Sequence, residues 1–288
     1  MEPMKRKDFR FRDRLRVRWA EVDMQKIVFN GHYLLYVDTA VAGYWRALAL
    51  PYAEAMHLLG GDLYVKKVTL EYHASARYDE MLEVGIRCGR IGNSSLLWHA
   101  GIFRGEQLLV GGELVYVFAD PATQSSKPVP RALRELLEQF EAGEPTYEVQ
   151  VGSWQDLGGE AQALRTAVFV DEQGIPAALD WDAADAGAVH ALARNRLGMA
   201  LATGRLLQNA PGVGRIGRMA VLQSLRHAGV GRAVLAALEA VARARGDREL
   251  LLHAQTSAAP FYARAGYLER GEVFEEAGIP HIEMRRVP

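Results

Sequence analysis

The sequence is short of cysteine, of net charge and of long apolar runs. Cys88 is the single cysteine in 288 residues, so the chain can form no internal disulfide, which fits a reducing compartment. Lysine and arginine number 34 against 35 aspartate and glutamate residues, and a net charge of −1 argues against nucleic acid as a partner. No stretch reaches the roughly 20 apolar residues of a membrane span, and the basic N-terminus lacks the apolar segment of a secretory signal. We therefore expect a cytoplasmic protein without nucleic-acid or membrane partners.

The composition is that of a folded protein large enough for two domains. Hydrophobic residues make up 49% of the chain and charged residues 24%. A chain of 288 residues is long for a single core. Residues 141–146, EAGEPT, are polar, contain glycine and proline, and follow a predicted helix end. We interpret them as a linker and predict domains at residues 1–142 and 146–288.

Arginine stands at every second position from Arg10 to Arg18. Most of the positions between hold large apolar residues, which gives the stretch the period of a strand. These residues are Phe9, Phe11, Leu15, Val17 and Trp19, with Asp13 as the exception. We interpret the stretch as a half-buried strand whose arginines face solvent. The alternative is an arginine face that meets an anionic ligand or partner.

The rest of the first domain has the pattern of one long helix followed by strands. Residues 30–50 carry apolar and aromatic side chains at helical spacing. Four strand-like segments and a short closing helix follow, at residues 63–74, 80–92, 94–105, 106–120 and 131–142. A strongly apolar helix followed by antiparallel strands predicts an α+β domain in which the sheet wraps around the helix.

The second domain has a mixed α/β pattern, with strand-like segments around a helix through Phe169 and a helix at residues 229–245. Residues 212–217, GVGRIG, match the G-x-G-x-x-G of dinucleotide-binding proteins, a motif that needs a strand before it and a helix after it. Here a turn precedes the glycines and a strand follows them. We therefore predict that these glycines form a hairpin turn.

Another pair of glycines begins the long helix of the second domain. Arg226, Gly229 and Gly231 stand where a predicted strand ends and an amphipathic helix, in LRHAGVGRAVLAALEAVARA, begins. Glycines let a ligand approach the backbone, and the first N–H groups of a helix attract an anion. The alternative is a helix start that glycine assists without any ligand.

The RHAGVG segment resembles the pyrophosphate loop of the GNAT acyltransferases, and FYARAGY, residues 261–267, resembles a second motif of that family. The resemblance spans about residues 147–286 and implies a mixed sheet that binds acetyl-CoA. It implies that Tyr262 is a general acid near the CoA sulfur. It also implies CoA contacts at the loop and along a splayed strand, at Met219, Val221, Arg226, Gly229, Val230 and Gly231.

The acceptor and the general base of this second domain are less defined. LRTAVFVDEQGIP and EEAGIPHIEM resemble a small bacterial branch of the family whose acceptors are poorly defined. Glu172 and His253 are candidates for the general base by residue type and placement, and water is the alternative.

Asp23 lies between the arginine-rich strand and the long helix. An acid in such a place is usually a cap or a surface residue. However, VRWAEVDMQKIVFNGHYLLYVDTA resembles the 4-hydroxybenzoyl-CoA thioesterases, which have the hotdog fold, and Asp23 takes the position of their catalytic aspartate. Lys26 replaces the usual glycine, and Asn30 stands where many relatives have histidine, with His32 nearby. Free N–H groups around Asn30 to His32 are expected to stabilise the oxyanion.

Together the two resemblances imply a bifunctional protein that acts on CoA thioesters. The first domain would hydrolyse acyl-CoA, and the second would transfer an acetyl or acyl group from CoA to a small-molecule or protein amine. We expect no metal, and the resemblance of the first domain implies a homodimer or tetramer. The alternative is a non-catalytic acyl-CoA-binding or scaffold protein with one or both sites degenerate.

Overall fold

The computed structural model describes residues 4–180 and 182–287. The chain divides into two compact units, of which the first ends at Thr146 and the second begins at Tyr147. In the described ranges, no helix has both the length and the apolar character needed to cross a membrane.

The first unit is one antiparallel sheet around a long helix. Its five strands have the order β1-β3-β4-β5-β2, and each neighbouring pair is antiparallel. The elements in chain order are β1 Phe11–Arg16, α1 Asn30–Ala47, α2 Tyr52–Leu59, β2 Asp62–Tyr72, β3 Met81–Ile91, β4 Ser95–Arg104, β5 Gln107–Ala119 and α3 Arg131–Glu141.

Aromatic side chains dominate the core between α1 and this sheet. Tyr44 of α1 is fully buried, and its ring centroid lies 5.0 Å from that of Trp98 on β4. Phe9 covers the opposite face of the sheet, where a Cβ on Gly85 would lie 2.5 Å from the Phe9 ring. The predicted α+β hotdog architecture, a helix wrapped by a sheet, is confirmed.

The arginine-rich stretch is shorter as a strand than its alternation suggests. Within Phe11–Arg16 the apolar positions are half-buried and the arginines exposed, as predicted. Trp19 was expected on the apolar face, but it is 75% exposed. The strand ends because Glu21 turns the chain back, with its carboxylate accepting from the Arg18 N–H at 2.7 Å and its own N–H donating to the Arg18 carbonyl.

One helix prediction for the first unit needs correction, and one helix was not predicted. The long helix ends at Ala47 rather than at residue 50, and the short helix α2 follows it. Ala49, between the two helices, has a φ of 53°, a left-handed conformation that ends regular helix. The sequence analysis did not predict α2.

The second unit is a seven-stranded mixed sheet with helices on its faces. The strand order is β11-β12-β10-β9-β8-β7-β6, with β9 and β10 parallel and the other neighbours antiparallel. Its strands are β6 Tyr147–Gly152, β7 Val189–Asn195, β8 Ala200–Ala210, β9 Val213–Val221, β10 Glu249–Gln255, β11 Leu268–Glu276 and β12 Ile279–Arg286. Its helices are α4 Trp154–Arg165, α5 Ala177–Asp180, α6 Val230–Arg245 and α7 Ala259–Arg264, with a π-helical turn at Thr166–Glu172.

The GVGRIG segment forms a hairpin turn only in part. Gly212 has a φ of 74° and lies in the turn between β8 and β9. Gly214 and Gly217 lie inside β9 instead. Gly214 is required by packing, because a Cβ there would lie 2.7 Å from the Asp247 carboxylate.

A buried ionic cluster joins the end of α4 to β8 in the second unit. Both oxygens of Asp185 accept from Arg165 at 3.0 Å, and Oδ1 also accepts from Arg205 at 2.7 Å. The side chains of Arg165 and Asp185 are each 2% exposed. Charges removed from water in this way depend on their partners.

We predict that Asp185→Asn lowers the free energy of unfolding by about 3–5 kcal/mol, because it removes the buried negative charge that two guanidinium groups share. The control is Glu160→Gln, which breaks the pair with Arg194 at a glutamate that is 45% exposed. That change should cost less than about 1 kcal/mol. Urea denaturation of the three proteins measures both effects, and equal costs for the two variants would contradict the prediction.

Candidate active sites

The centre of the second unit is the place where β9 and β10 part. Their parallel pairing runs from Val213 opposite Glu249 to Ile216 opposite Leu252, and within the described ranges no pairing of β9 with β10 follows. A bulge in the pairing of β8 with β9 falls at Arg218, whose φ is 52°. Such a bulge increases the local twist and turns the strand away from its neighbour. The predicted CoA contacts Met219 and Val221 therefore lie on a segment of β9 with one backbone edge open.

The loop that follows β9 presents several backbone N–H groups without acceptors. His227 and Gly229 have φ values of 70° and 85°, and α6 begins at Val230. Within the described ranges, five of the six N–H groups from residue 227 to residue 232 find no acceptor, while that of Ala228 donates to Leu225. The five belong to His227, Gly229, Val230, Gly231 and Arg232. N–H groups grouped in this way at a helix start form an anion-binding site.

The two glycines of this loop are favoured for different reasons. Gly229 adopts a left-handed φ that side chains rarely allow. Gly231 has an ordinary φ, but a Cβ there would lie 3.0 Å from a methyl carbon of Val221. Val230 is fully buried, so its side chain is not available to a ligand. His227 and Arg232 were not among the predicted CoA contacts, although the position of Arg232 in the first turn of α6 was a usable signal.

A cavity of about 1030 Å³ lies over the open part of β9. Its walls include most of the predicted CoA contacts and the predicted general acid: Met219, Val221, Arg226, Gly229, Gly231 and Tyr262. The Tyr262 hydroxyl has no hydrogen-bond partner among the residues that the structure describes. Burial raises the pKa of Tyr262, so this hydroxyl stays protonated at neutral pH.

The two candidates for the general base have different surroundings. The carboxylate of Glu172 accepts from Arg226 at 2.6 Å, an ion pair that the sequence analysis did not foresee. His253 lines the cavity, and its Nδ1 lies 3.1 Å from Nη2 of Arg215 and 3.2 Å from Oε2 of Glu276. Of the two candidates, His253 is the one whose side chain faces the cavity.

In the first unit, Asp23 begins a tight turn that leads to α1. The Asp23 N–H donates to Ile27, the Lys26 N–H donates to Asp23, and one oxygen of the Asp23 carboxylate accepts from the Gln25 N–H at 2.8 Å. Lys26 has a φ of 62°, which explains why the thioesterases that this segment resembles usually have glycine there. The second carboxylate oxygen of Asp23 has no partner among the described residues.

The start of α1 supplies fewer free N–H groups than expected. The Phe29 N–H donates to the carbonyl of Glu21, which holds the turn against the helix start. The His32 N–H was predicted to be free, but it donates to the Phe29 carbonyl at 2.9 Å. Within the described part of the chain, the N–H groups of Asn30 and Gly31 have no acceptor. These two are the available oxyanion donors.

Glu21 is a functional candidate that the sequence analysis missed. Its buried carboxylate accepts from the Tyr36 hydroxyl at 2.6 Å and from the Arg18 N–H at 2.7 Å. Burial alone would raise the pKa of Glu21, but these bonds outweigh it and hold the pKa below its usual range. Through these bonds, Glu21 links α1 with the turn that contains Asp23. Its position, two residues before Asp23 in the segment that resembles the thioesterases, was the sequence signal that could have indicated its role.

Comparison with known proteins identifies both units. Residues 162–287 match the family model of the acetyltransferase (GNAT) domain, and residues 25–110 match that of the thioesterase superfamily. A putative acetyltransferase of Bacillus subtilis is 35% identical over 140 residues, which are 48% of this chain and 93% of that protein. The uncharacterized N-acetyltransferase YjcF of Bacillus subtilis is 37% identical over 128 residues, which are 44% of this chain and 90% of that protein. The chain therefore belongs to the GNAT acetyltransferases through its second unit, and a segment of its first unit matches the thioesterase superfamily.

The solved structures that are similar to part of this chain include a thioesterase. A thioesterase from Thermus thermophilus, solved with coenzyme A and zinc, is 23% identical to this chain with a TM-score of 0.42. It covers 50% of this chain and 99% of its own. In the ranges described for the present chain, no three histidine, cysteine or acidic side chains are grouped as metal ligands.

Proposed function

We propose that the protein is a bifunctional enzyme of CoA thioesters, with an acyl-CoA hydrolase in the first unit and an acyl-CoA:amine acyltransferase in the second. The observation that carries the second activity is the row of unpaired N–H groups at residues 227–232, beside the open edge of β9. A helix start with free donors favours a pyrophosphate, and an open strand edge favours an extended chain with amide groups. CoA has both.

Acetyl-CoA would place its pyrophosphate on the N–H groups of the loop and its pantetheine arm along Met219 and Val221. The amine then attacks the thioester carbon, so that a C–N bond forms while the C–S bond breaks. The departing sulfur takes the proton of the Tyr262 hydroxyl, which burial keeps protonated. The amine proton passes to His253, to Glu172 or to water, and of the two side chains it is His253 that lines the cavity.

Gly229→Val should abolish acetyl-CoA binding, because a branched residue is strained at a φ of 85° and distorts the loop that holds the pyrophosphate. The matched variant is Tyr262→Phe, which removes only the proton donor. It should keep the affinity for acetyl-CoA and slow transfer by roughly 100-fold or more. Calorimetry measures the first effect, and single-turnover acyl transfer to an acceptor amine measures the second.

Either of two results would count against this assignment. The first is no binding of acetyl-CoA to the wild-type protein. The second is binding that Gly229→Val leaves unchanged. Circular dichroism checks that the variant is folded.

In the first unit, Asp23 would activate water or attack the thioester carbon itself. The N–H groups of Asn30 and Gly31 would hold the oxyanion, and such donors are worth about 3–4 kcal/mol each in hydrolases. His32 lies one turn into the helix start, its ring centroid 6.1 Å from that of Phe29. It remains a candidate for contact with the acyl group.

Asp23→Asn should lower the kcat of acyl-CoA hydrolysis by about 100-fold or more. The amide oxygen of asparagine can still accept from the Gln25 N–H, so the turn should survive. Glu135→Gln, at an exposed acid of α3, is the control and should keep wild-type kcat. Hydrolysis of a panel of acyl-CoA thioesters provides the assay, and near-native kcat/KM in Asp23→Asn would refute the role of Asp23.

We further propose that the first unit assembles as a homodimer or tetramer. Several large apolar side chains near the start of α1 and along β2 are exposed: Phe29, Leu35, Tyr64, Val65 and Tyr72. β2 is an edge strand, so one row of its backbone groups is unpaired. A second copy of the chain would cover this surface and complete a site that one chain leaves open around Asp23.

Light scattering at micromolar concentration should give a mass of at least about twice the chain mass of 31.9 kDa. Val65→Arg places a charge on the exposed edge strand and should weaken the assembly. Leu268→Arg, at an exposed apolar residue of the second unit, should not. A monomeric wild-type protein would exclude the proposed dimer.

A further inference from the structure

The cavity of the second unit extends beyond the segment proposed to hold the thioester. Part of its lining comes from β9, β10 and the end of β11, and we call this part the acceptor wall. The acceptor wall consists of Arg215, Gly217, His253, Gln255 and Glu276. None of these residues belongs to the loop at residues 227–232.

Strand register brings the acceptor wall to one face of the sheet. Arg215 lies opposite Leu251 of β10, and His253 follows two residues later on the same face. Gly217 is two residues from Arg215, and a Cβ added to it would have no atom within 4 Å. There is open space beside the Arg215 side chain.

Arg215 differs from the other partly buried arginines that line this cavity. Three of these, Arg205, Arg218 and Arg226, each contact a carboxylate, at 2.7, 3.0 and 2.6 Å. Within the described ranges, Arg215 has no carboxylate within 4.0 Å, and its hydrogen-bond partner is Nδ1 of His253. A guanidinium has five N–H donors, so most donors of Arg215 are left for a ligand.

The contact with His253 leaves a nearby acid unpaired as well. A guanidinium can only donate, so Nδ1 of His253 accepts from Arg215 and cannot also donate to Glu276. Oε2 of Glu276, 3.2 Å from that nitrogen, therefore lacks a donor there, and the side chain is 46% exposed. Among the residues that the structure describes, the acceptor wall thus presents one cation and one anion, each without an oppositely charged partner.

From this pair of charges we infer that the acyl acceptor is a small amino acid, with its carboxylate bound by Arg215 and its ammonium by Glu276. Planar guanidinium groups bind carboxylates through two parallel hydrogen bonds. The inference rests on the acyltransferase activity proposed above and names the class of its acceptor.

The reaction balances with these groups. Glu276 takes one proton from the ammonium, and the neutral nitrogen attacks the thioester carbon. The C–N bond forms as the C–S bond breaks, and the second amine proton leaves to solvent. The CoA sulfur receives the proton of Tyr262, which solvent then restores.

The test compares amino acids with their carboxamides, which keep the amine and lose the negative charge. Each is titrated into the protein saturated with CoA, and turnover with acetyl-CoA is followed by release of the CoA thiol. At least one amino acid should bind about tenfold or more tightly than its carboxamide, as expected for a hydrogen-bonded charge pair. Arg215→Gln should remove that preference, and Glu276→Gln should lower kcat/KM for the amino acid.

Both variants should keep wild-type affinity for acetyl-CoA, which separates this inference from the proposed CoA site. Arg270→Gln, at an exposed arginine of β11, is the control and should retain the preference. Three results would overturn the inference: no amino acid that binds more tightly than its amide, a preference that survives in Arg215→Gln, or tighter binding of amidated peptides than of amino acids. A wild-type protein that binds no acetyl-CoA would defeat the proposed acyltransferase itself.

Discussion

The parting of β9 from β10 after Ile216 is the constraint on which the chemistry of the second unit depends. In an intact sheet, the open edge of β9 would be paired with its neighbour and the cavity of about 1030 Å³ would be closed. The bulge at Arg218 turns the strand outward, and the left-handed residues His227 and Gly229 leave the N–H groups of the next helix start unpaired. An unpaired edge and unpaired helix N–H groups cost free energy of folding unless water or a ligand supplies the missing hydrogen-bond partners.

In the first unit, a helix start with free N–H groups again forms part of the proposed site. A turn delivers an acid to the start of a long helix, and two N–H groups of that helix have no acceptor within the described residues. Buried Glu21 holds the turn through Tyr36 of the helix and through Arg18. In both units a helix start supplies donors for negative charge: a pyrophosphate in one proposal and an oxyanion in the other.

Periodicity and short motifs predicted most of the fold, because the long helix and the strands each bury one regular face. They also predicted where the loop of the second unit lies, because glycines directly before an amphipathic helix are a pattern that can be read from neighbouring residues. These patterns failed where one contact overrides the local preference. The contacts of Glu21 with Arg18 end the arginine-rich strand before Trp19. The Phe29 carbonyl accepts the hydrogen bond from the His32 N–H, which was expected to be free. The pairs Glu172–Arg226 and His253–Arg215 join residues 54 and 38 positions apart, and no local spacing indicates such contacts.

Amide hydrogen exchange with and without acetyl-CoA tests the central claim most directly. In the free protein, the N–H groups of residues 227 and 229–232 have no acceptor among the described residues and should exchange fast. Bound acetyl-CoA should slow exchange at these amides and along residues 217–221 of β9. Binding that protects other segments and leaves residues 227–232 unchanged would contradict the account.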